Sequence, residues 1–300
     1  MDKKCFGHFF AIITILIWGT TFISTKLLLQ NFRPMEILLF RFVIGFFALL
    51  IIYPKPIIGT SFKQEITFAL AGICGITLYY LLENIALTYT TASAVGVIIS
   101  TAPFSTAILS YFVLEKKEKL SFSFFMGFVI SMAGICLLSF ENLNVGINPL
   151  GDILAFISAI IWALYSVLSK KISEYGYNTI QSTRRIFLYG IVFMIPLLFV
   201  SDFKLDISRF SETGNLMNML FLGVGASALC FVTWNFAVKK LGTVKTSVYI
   251  YLVPVITVIA SVLILKEKIT LFSLCGIFLT LLGLMLSQIK KRSKTYECSK

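Results

Sequence analysis

The chain is 300 residues long, and 58% of its residues are hydrophobic while only 13% are charged. A soluble globular domain carries about 25% charged residues, so this composition excludes a soluble fold. The formal net charge of +12 does not indicate nucleic-acid binding, because the basic residues sit at the ends of apolar runs rather than in one patch.

Apolar runs in chain order predict membrane helices, because each is close to the roughly 20 residues that a helix needs to cross the hydrocarbon core. Barrel strands are shorter and alternate apolar with polar residues, which these runs do not. The first run is too long for the apolar core of a cleaved signal peptide, so we expect it to stay as a helix. The predicted spans are residues 9–29, 35–53, 66–87, 92–114, 120–140, 150–168, 179–200, 216–238, 243–265 and 269–288. The predicted fold is an all-α membrane protein with ten transmembrane helices.

Basic residues are distributed unequally between the two sets of loops. With the amino terminus placed in the cytoplasm, most lysines fall on the cytoplasmic side, including those of the carboxy-terminal "KKRSKTYECSK". The other side holds only Lys26, Arg33, Lys204, Arg209, Lys266 and Lys268. This asymmetry predicts a multi-pass protein of the cytoplasmic membrane with both termini in the cytoplasm.

The second half of the sequence repeats the first. A shift of 151 places "ENIALTY" (83–89) on "WNFAVKK" (234–240), and a shift of 144 fits the region near the start. The matched pairs include Trp18 with Trp162, Lys26 with Lys170, Arg41 with Arg185, Asn84 with Asn235, and Pro103 with Pro254. We therefore predict two five-helix repeats, 1–146 and 147–300. Because five is odd, the repeats are inverted relative to each other, which is typical of secondary transporters that bind substrate between the halves.

The same residues carry a resemblance to a known family. "IWGTTFISTKLLL", "LLFRFVIGF" and "ENIALTYTTASAVGVIISTAPFSTAILSYFVLEKKEKLS" resemble the EamA-type module of the drug/metabolite transporter superfamily. "WNFAVKKLGTVKTSVYIYLVPVITVIASVLILKEKIT" repeats it in the second half. The resemblance implies a ten-helix transporter with both termini in the cytoplasm that moves small metabolites, often out of the cell. It does not identify the substrate. Ala163 stands where the module usually has glycine.

Glu83 and Arg41 are charged residues that lie inside predicted spans, where ionisable groups are costly and often functional. Glu83 lies seven residues before Thr90 and Arg41 lies seven residues after Pro34, on the same side of the membrane, so we expect their depths to match. One interpretation is a hydrogen-bonded structural pair. The other is that Glu83 faces an aqueous cavity and binds a substrate amine or a proton. Trp234 replaces the acid in the second copy, whereas Arg185 keeps the arginine, and this asymmetry favours a function.

Two mid-span prolines, Pro103 and Pro254, break the hydrogen bonds to the carbonyls of Ile99 and Ile250. They are either static kinks or hinges at a central cavity. Broken membrane helices tend to line protein or water, so neighbouring polar side chains are candidates for substrate contacts. These neighbours are Ser100, Thr101, Tyr249 and Tyr251.

Aromatic residues complete the candidate site. Tyr79 and Tyr80 share a helical neighbourhood with Glu83. The candidates for substrate or proton binding are Glu83, Arg41, Tyr79, Tyr80, Trp18, Trp162, Trp234, Asn235, Ser100, Tyr249 and Tyr251, and the hinge candidates are Pro103 and Pro254.

The sequence contains no HExxH, GxSxG or Walker-type motif and no CxxC among its six cysteines, and we expect its only histidine, His8, to offer no metal site because it has no nearby ligand partners. No enzyme activity, metal or cofactor is predicted. The predicted function is secondary transport of small organic solutes by alternating access: export of amino acids, related metabolites or drugs, with a proton or another ion as coupling partner. Two alternatives stay open: an exchanger of carboxylates or phosphorylated solutes that uses Arg41 and Arg185, and a membrane scaffold without transport. The sequence does not decide whether the protein forms homo-oligomers.

Overall fold

The computed structural model describes residues 3–113, 122–144, 148–201 and 203–287. Within these ranges the chain folds into ten long helical segments. They are α1 (Lys3–Leu28), α2 (Pro34–Ile52), α3 (Phe62–Tyr89), α4 (Ala92–Phe112), α5 (Phe122–Asn144), α6 (Leu150–Ser173), α7 (Thr179–Val200), α8 (Thr213–Leu241), α9 (Thr243–Leu265) and α10 (Leu271–Ser287). A short 3₁₀-helix, Ile207–Ser211, lies between α7 and α8.

Eight of these helices are long and apolar enough to cross a membrane, and α5 and α10 carry the shorter apolar stretches Phe122–Leu137 and Leu271–Leu286. The described residues contain no β-strand. The predicted all-α membrane fold is therefore confirmed. The basic tail used to predict the topology lies outside the described residues.

The ends of some helices extend beyond the apolar runs. Helix α3 begins at Phe62 rather than at residue 66, because Ser61 and Gln64 form a capping box at its start. In this motif each side chain binds the backbone N–H of the other, which satisfies two donors that the helix leaves unpaired. Polar capping residues thus start a helix before its hydrophobic segment begins.

Helix packing follows the sequence repeat. Helix α1 packs on α8 and α9, while α6, its counterpart in the second half, packs on α3 and α4. Likewise α2 packs on α8, and α7 packs on α3. The pairs α2–α7, α4–α9 and α5–α10 each join a helix to its own counterpart. Exchanging the two halves turns each of these helix contacts into another contact of the set or leaves it unchanged. A pseudo-twofold axis that relates two inverted repeats has this effect.

The contact between α5 and α10 depends on glycine. A Cβ added at Gly134 would lie 2.6 Å from the carbonyl oxygen of Gly276, and one added at Gly283 would lie 2.4 Å from that of Gly127. Such short distances mean that the two backbones touch, a contact that small residues permit in membrane proteins. The two close approaches are related by the same repeat.

Candidate functional site

Two π-helical segments interrupt α3 and α8 at equivalent positions. They span Ile73–Leu78 in α3 and Phe221–Leu229 in α8. A π-segment adds a residue to the local turn and changes the direction in which the following side chains point, and such segments are frequent at functional sites. Directly after them come Tyr79, Tyr80 and Glu83 in α3, and Trp234 in α8. The hydrophobic pattern of the sequence gives no sign of these segments.

A cavity lies at the interface between the two halves. It has about 380 Å³ of empty space, including the part that opens towards solvent. Its walls come from α1, α3, α4, α6 and α9. The lining residues are Trp18, Thr21, Phe22, Tyr79, Tyr80, Glu83, Ile99, Trp162, Ile250 and Val253. Five of the predicted site residues therefore share one cavity: Trp18, Tyr79, Tyr80, Glu83 and Trp162.

Aromatic rings from both halves form the wall. Trp18 and Trp162, which are related by the repeat, meet edge to face with ring centroids 5.1 Å apart. The ring centroid of Trp162 lies 4.8 Å from that of Tyr79, and the centroids of Tyr79 and Tyr80 are 4.6 Å apart. Trp234 packs against Trp18 with ring centroids 5.1 Å apart. It is fully buried and does not line the cavity. The three tryptophans of the chain thus form one cluster.

Glycine allows this cluster to close. A Cβ added at Gly75, within the π-segment of α3, would lie 2.2 Å from the ring of Tyr165 on α6. The missing side chain lets α6 approach α3 closely enough for Trp162 to contact Tyr79. Any larger residue at position 75 would push Tyr165 and its helix away from the cavity.

Glu83 is the only carboxylate among the residues that line the cavity. Its side chain is 1% exposed, and Oε1 has no hydrogen-bond partner within the described part of the chain. A buried carboxylate oxygen without a partner carries a large desolvation cost. The position therefore favours a ligand that carries a hydrogen-bond donor or a positive charge.

Arg41 does not pair directly with Glu83, so the predicted hydrogen-bonded pair is wrong. The Arg41 Nε donates to the Ser227 hydroxyl at 3.1 Å, whereas Nη1 and Nη2 have no partner among the described residues. Its guanidinium instead lies over the ring of Tyr80, 4.2 Å from the centroid. The Asn84 amide, next to Glu83, donates to the Pro34 carbonyl at the start of α2, whereas Arg41 lies seven residues further along that helix and contacts Tyr80, so the predicted match in depth is not confirmed.

The prolines stand at real interruptions. Helix α4 breaks at Ser100 and Thr101, and its second part begins one residue before Pro103. A 3₁₀ turn, Val248–Leu252, precedes Pro254 in α9. The two residues whose carbonyls lose their bonds to these prolines, Ile99 and Ile250, both line the cavity. Whether the breaks move during function is not tested and remains a prediction.

Four predicted site residues lie elsewhere. Ser100 is fully buried and its hydroxyl bonds back to the Val97 carbonyl. Tyr251 packs beside Phe104 in a separate cluster. The Tyr249 hydroxyl lies 2.6 Å from Nδ1 of His8, outside the cavity lining. Asn235 binds Tyr165, Ser169 and Thr183 in the second half.

Thr21, Phe22 and Val253 also line the cavity, although the sequence reasoning did not select them. Thr21 lies three positions after Trp18, and Val253 lies directly before Pro254. Helical spacing from an already selected residue would therefore have found both.

Polar contacts join the two halves on both sides of the membrane region. At the end predicted to be external, the Glu267 carboxylate accepts hydrogen bonds from the backbone N–H of Ala92 and from Ser93. Nearby, Arg209 forms an ion pair with the buried Glu36 at 2.7 Å, and this hydrogen bond raises the pKa of Arg209 above its ordinary value.

At the other end, Arg185 pairs with Glu65 at 2.7 Å, which is a structural role for the counterpart of Arg41. Both sides of this conformation therefore carry ionic or polar contacts between the halves, which would have to break if the halves move apart.

The structure is an all-α membrane protein of two packed five-helix repeats, and a carboxylate lies in an aromatic cavity between them. This is the architecture of a secondary transporter. Comparison with protein-family models agrees. The chain belongs to the EamA-like transporter family, whose model matches residues 5–140 and again 149–288. The predicted resemblance and the assignment to multi-pass membrane transport are thus confirmed.

Similar proteins extend along nearly the whole chain. A protein of Archaeoglobus fulgidus named as an uncharacterized transporter is 28% identical over 290 residues, covering 95% of this chain and 98% of its own. A protein of the same description from Clostridium kluyveri is 26% identical and covers 92% of this chain and 91% of its own. A crystal structure described only as that of a protein has the same fold, with a TM-score of 0.68 at 17% identity, over 94% of this chain and 96% of that one.

Proposed function

We propose that this protein is a secondary transporter that carries small organic metabolites bearing an amine, by alternating access to the cavity between its two halves. The observation that carries the proposal is the buried Glu83 carboxylate, whose Oε1 has no hydrogen-bond partner among the described residues, in a cavity lined by five aromatic side chains. Trp18 and Trp162 come from different halves, so relative movement of the halves would separate the two rings and open the cavity.

The chemistry of the lining favours an organic cation with an apolar body. A cation over an aromatic ring gains about 0.5–1 kcal/mol when exposed and about 2 kcal/mol when desolvated. Glu83 adds one charge-assisted hydrogen bond, and Phe22, Ile99 and Val253 offer apolar contacts. Amino acids, related amines and cationic drugs fit this combination, and export through the cytoplasmic membrane is the direction that we propose.

Glu83 also suggests how transport is driven. A single carboxylate can hold either an ammonium group or a proton, so that binding one displaces the other. Exchange of a cation for a proton in each cycle would couple transport to the proton gradient. Loss of the pH dependence of transport in Glu83→Gln is the expected sign of this coupling.

The alternative function as an anion exchanger has less support from the geometry. It requires Arg41 and Arg185 to face the substrate together. Arg185 is held by Glu65, and neither arginine lines the cavity. A scaffold without transport would give no reason for a buried carboxylate oxygen, Oε1 of Glu83, that has no partner among the described residues.

The proposal can be tested by intrinsic fluorescence, because the only three tryptophans of the chain cluster at the cavity. Purified protein in detergent is titrated with choline, phenethylamine and phenylalanine, and with succinate as an anionic control. Saturable quenching by the amines, and not by succinate, supports the proposal. Equal responses to amines and succinate, or no saturable response to any probe, contradict it.

The opening of the cavity can be tested with a cysteine at Thr21, in a background without other cysteines. A membrane-impermeant thiol reagent should label this position from each side of the membrane in turn, and a bound amine should protect it. Labelling from neither side would contradict alternating access. Reporter fusions after Lys119 and at Lys300 should read cytoplasmic and one after Asn144 external, which tests the orientation.

A further inference from the structure

A second cavity lies within the second half, away from the aromatic site. It has about 280 Å³ of empty space, including its opening, and is enclosed by the end of α6, the start of α7 and the end of α8. Asn235 forms its inner wall and uses its amide on protein groups: Oδ1 accepts from Tyr165 and Ser169, and Nδ2 donates to Thr183. The inner wall is therefore fixed, and the other polar residues face a preformed space.

The sequence repeat explains why the space exists. By the shift of 144, Thr179 and Ser182 of this cavity correspond to Met35 and Leu38 of the first half. Met35 and Leu38 are buried core residues, 3% and 0% exposed. In the second half, smaller hydroxyl side chains stand where the first half has long apolar ones, so the equivalent volume is left open and becomes polar. This difference shows that the cavity is not a general consequence of packing in this fold.

The cavity offers hydrogen-bond donors and a positive charge. The Ser182 hydroxyl makes no hydrogen bond to another described residue, although the residue is only 7% exposed. The ammonium group of Lys239 has only a long contact of 3.4 Å, to the Tyr177 carbonyl. No carboxylate lines the cavity, and the nearby Glu174 is engaged by Lys170 at 3.2 Å. An anion with several acceptor oxygens would satisfy the lysine and the hydroxyl groups together.

The position of the cavity adds to this preference. It adjoins the amino-terminal end of α7, where Asn178 caps the backbone and the helix dipole favours negative charge. It opens at the end of the helices that the sequence predicts to be cytoplasmic, beside the exposed Lys171. Basic pockets between membrane helices on this side suit phosphate headgroups of lipids.

We propose that this cavity binds a phosphate group, supplied by an anionic lipid of the inner leaflet or by free phosphate. The ammonium of Lys239 neutralises the charge, and Ser182 and Thr179 donate hydrogen bonds to the phosphate oxygens. The site lies apart from the aromatic cavity, so it does not depend on the proposed transport activity.

The test measures the melting temperature of the purified full chain at constant ionic strength. One arm titrates dihexanoylphosphatidylglycerol against the zwitterionic dihexanoylphosphatidylcholine, and the other titrates inorganic phosphate against chloride. Saturable stabilisation by the anionic lipid or by phosphate, beyond its control, supports the proposal and identifies the source. Stabilisation in neither arm overturns it.

Variants locate the effect. Lys239→Gln should weaken the apparent affinity at least about tenfold, the loss of one charge-assisted bond. Ser182→Leu, which copies the first half, should abolish binding by filling the cavity. Lys245→Gln, an exposed lysine predicted to lie on the same side, is the matched control and should bind like the wild type. Unchanged affinity in Lys239→Gln would overturn the proposal even if Ser182→Leu fails to fold.

Discussion

Replacing Glu83 with glutamine is the most informative single change in this protein. The substitution keeps the shape and part of the hydrogen bonding of the side chain but removes its charge. Because Glu83 is 1% exposed and one of its oxygens has no partner, a bound ammonium would form its bond away from water. A hydrogen bond to a charged group contributes about 1.5–3 kcal/mol. At about 1.36 kcal/mol per factor of ten, Glu83→Gln should weaken amine binding by about 13- to 160-fold.

The assay is tryptophan quenching by phenethylamine, paired with its neutral analogue phenethyl alcohol. The aromatic wall is unchanged in the variant, so the alcohol should bind both proteins equally. The amine should lose affinity only in Glu83→Gln. Equal loss for both ligands would mean that the variant alters the shape of the cavity. No loss for the amine would refute the role of the carboxylate.

The effect on stability separates this role from a structural one. Arg41 makes no hydrogen bond to Glu83, so removing the acid breaks no direct bond between these two residues, and the glutamine amide can still accept a hydrogen bond from Tyr79. We expect the melting temperature of Glu83→Gln to stay close to that of the wild type. A large decrease that Arg41→Gln reverses would instead indicate that the two charges form a structural pair after all.

Three other substitutions test separate parts of the structure. Arg209→Ala leaves the buried Glu36 without its cation. It should lower the free energy of unfolding by about 2 kcal/mol, a value between those of exposed and buried ion pairs, and therefore lower the melting temperature in detergent. Gly134→Ala places a Cβ 2.6 Å from backbone atoms of α10 and should lower the free energy of unfolding by about 1–3 kcal/mol. In the control Gly225→Ala the nearest atom lies 3.6 Å from the added Cβ, so this variant should be as stable as the wild type. Equal melting temperatures for the two variants would contradict the packing of α5 on α10. Pro103→Ala should slow transport without lowering the melting temperature or membrane insertion, and unchanged transport would make the break a static kink.

The sequence was sufficient to predict the helices, the repeat and half of the cavity lining. Apolar length defines a membrane span without reference to its neighbours, and a repeated Trp18 and Trp162 mark equivalent places in two copies. Both signals are local to one helix or to a pair of aligned segments. The predicted boundary at 146/147 falls at the edge of the described residues and stays a prediction.

Contacts between helices were harder to predict. Counting residues along α2 and α3 predicted that Arg41 and Glu83 lie at one level, but the rotation of each helix was unknown, and the Arg41 guanidinium lies over the ring of Tyr80 instead. The π-segment before Tyr79 changes that rotation and leaves no hydrophobic signature. The pairing of Arg185 with Glu65 likewise joins residues 120 positions apart, which spacing alone does not relate.

Counterflow in proteoliposomes is the most direct measurement of the proposed function. Vesicles containing the wild type or Glu83→Gln are loaded with the unlabelled amine that quenches tryptophan fluorescence most strongly, and a trace of labelled amine is added outside. Alternating access predicts transient accumulation of label by the wild type, and little or none by Glu83→Gln. Accumulation no greater than in protein-free vesicles would contradict transport, and equal accumulation by the variant would contradict the site.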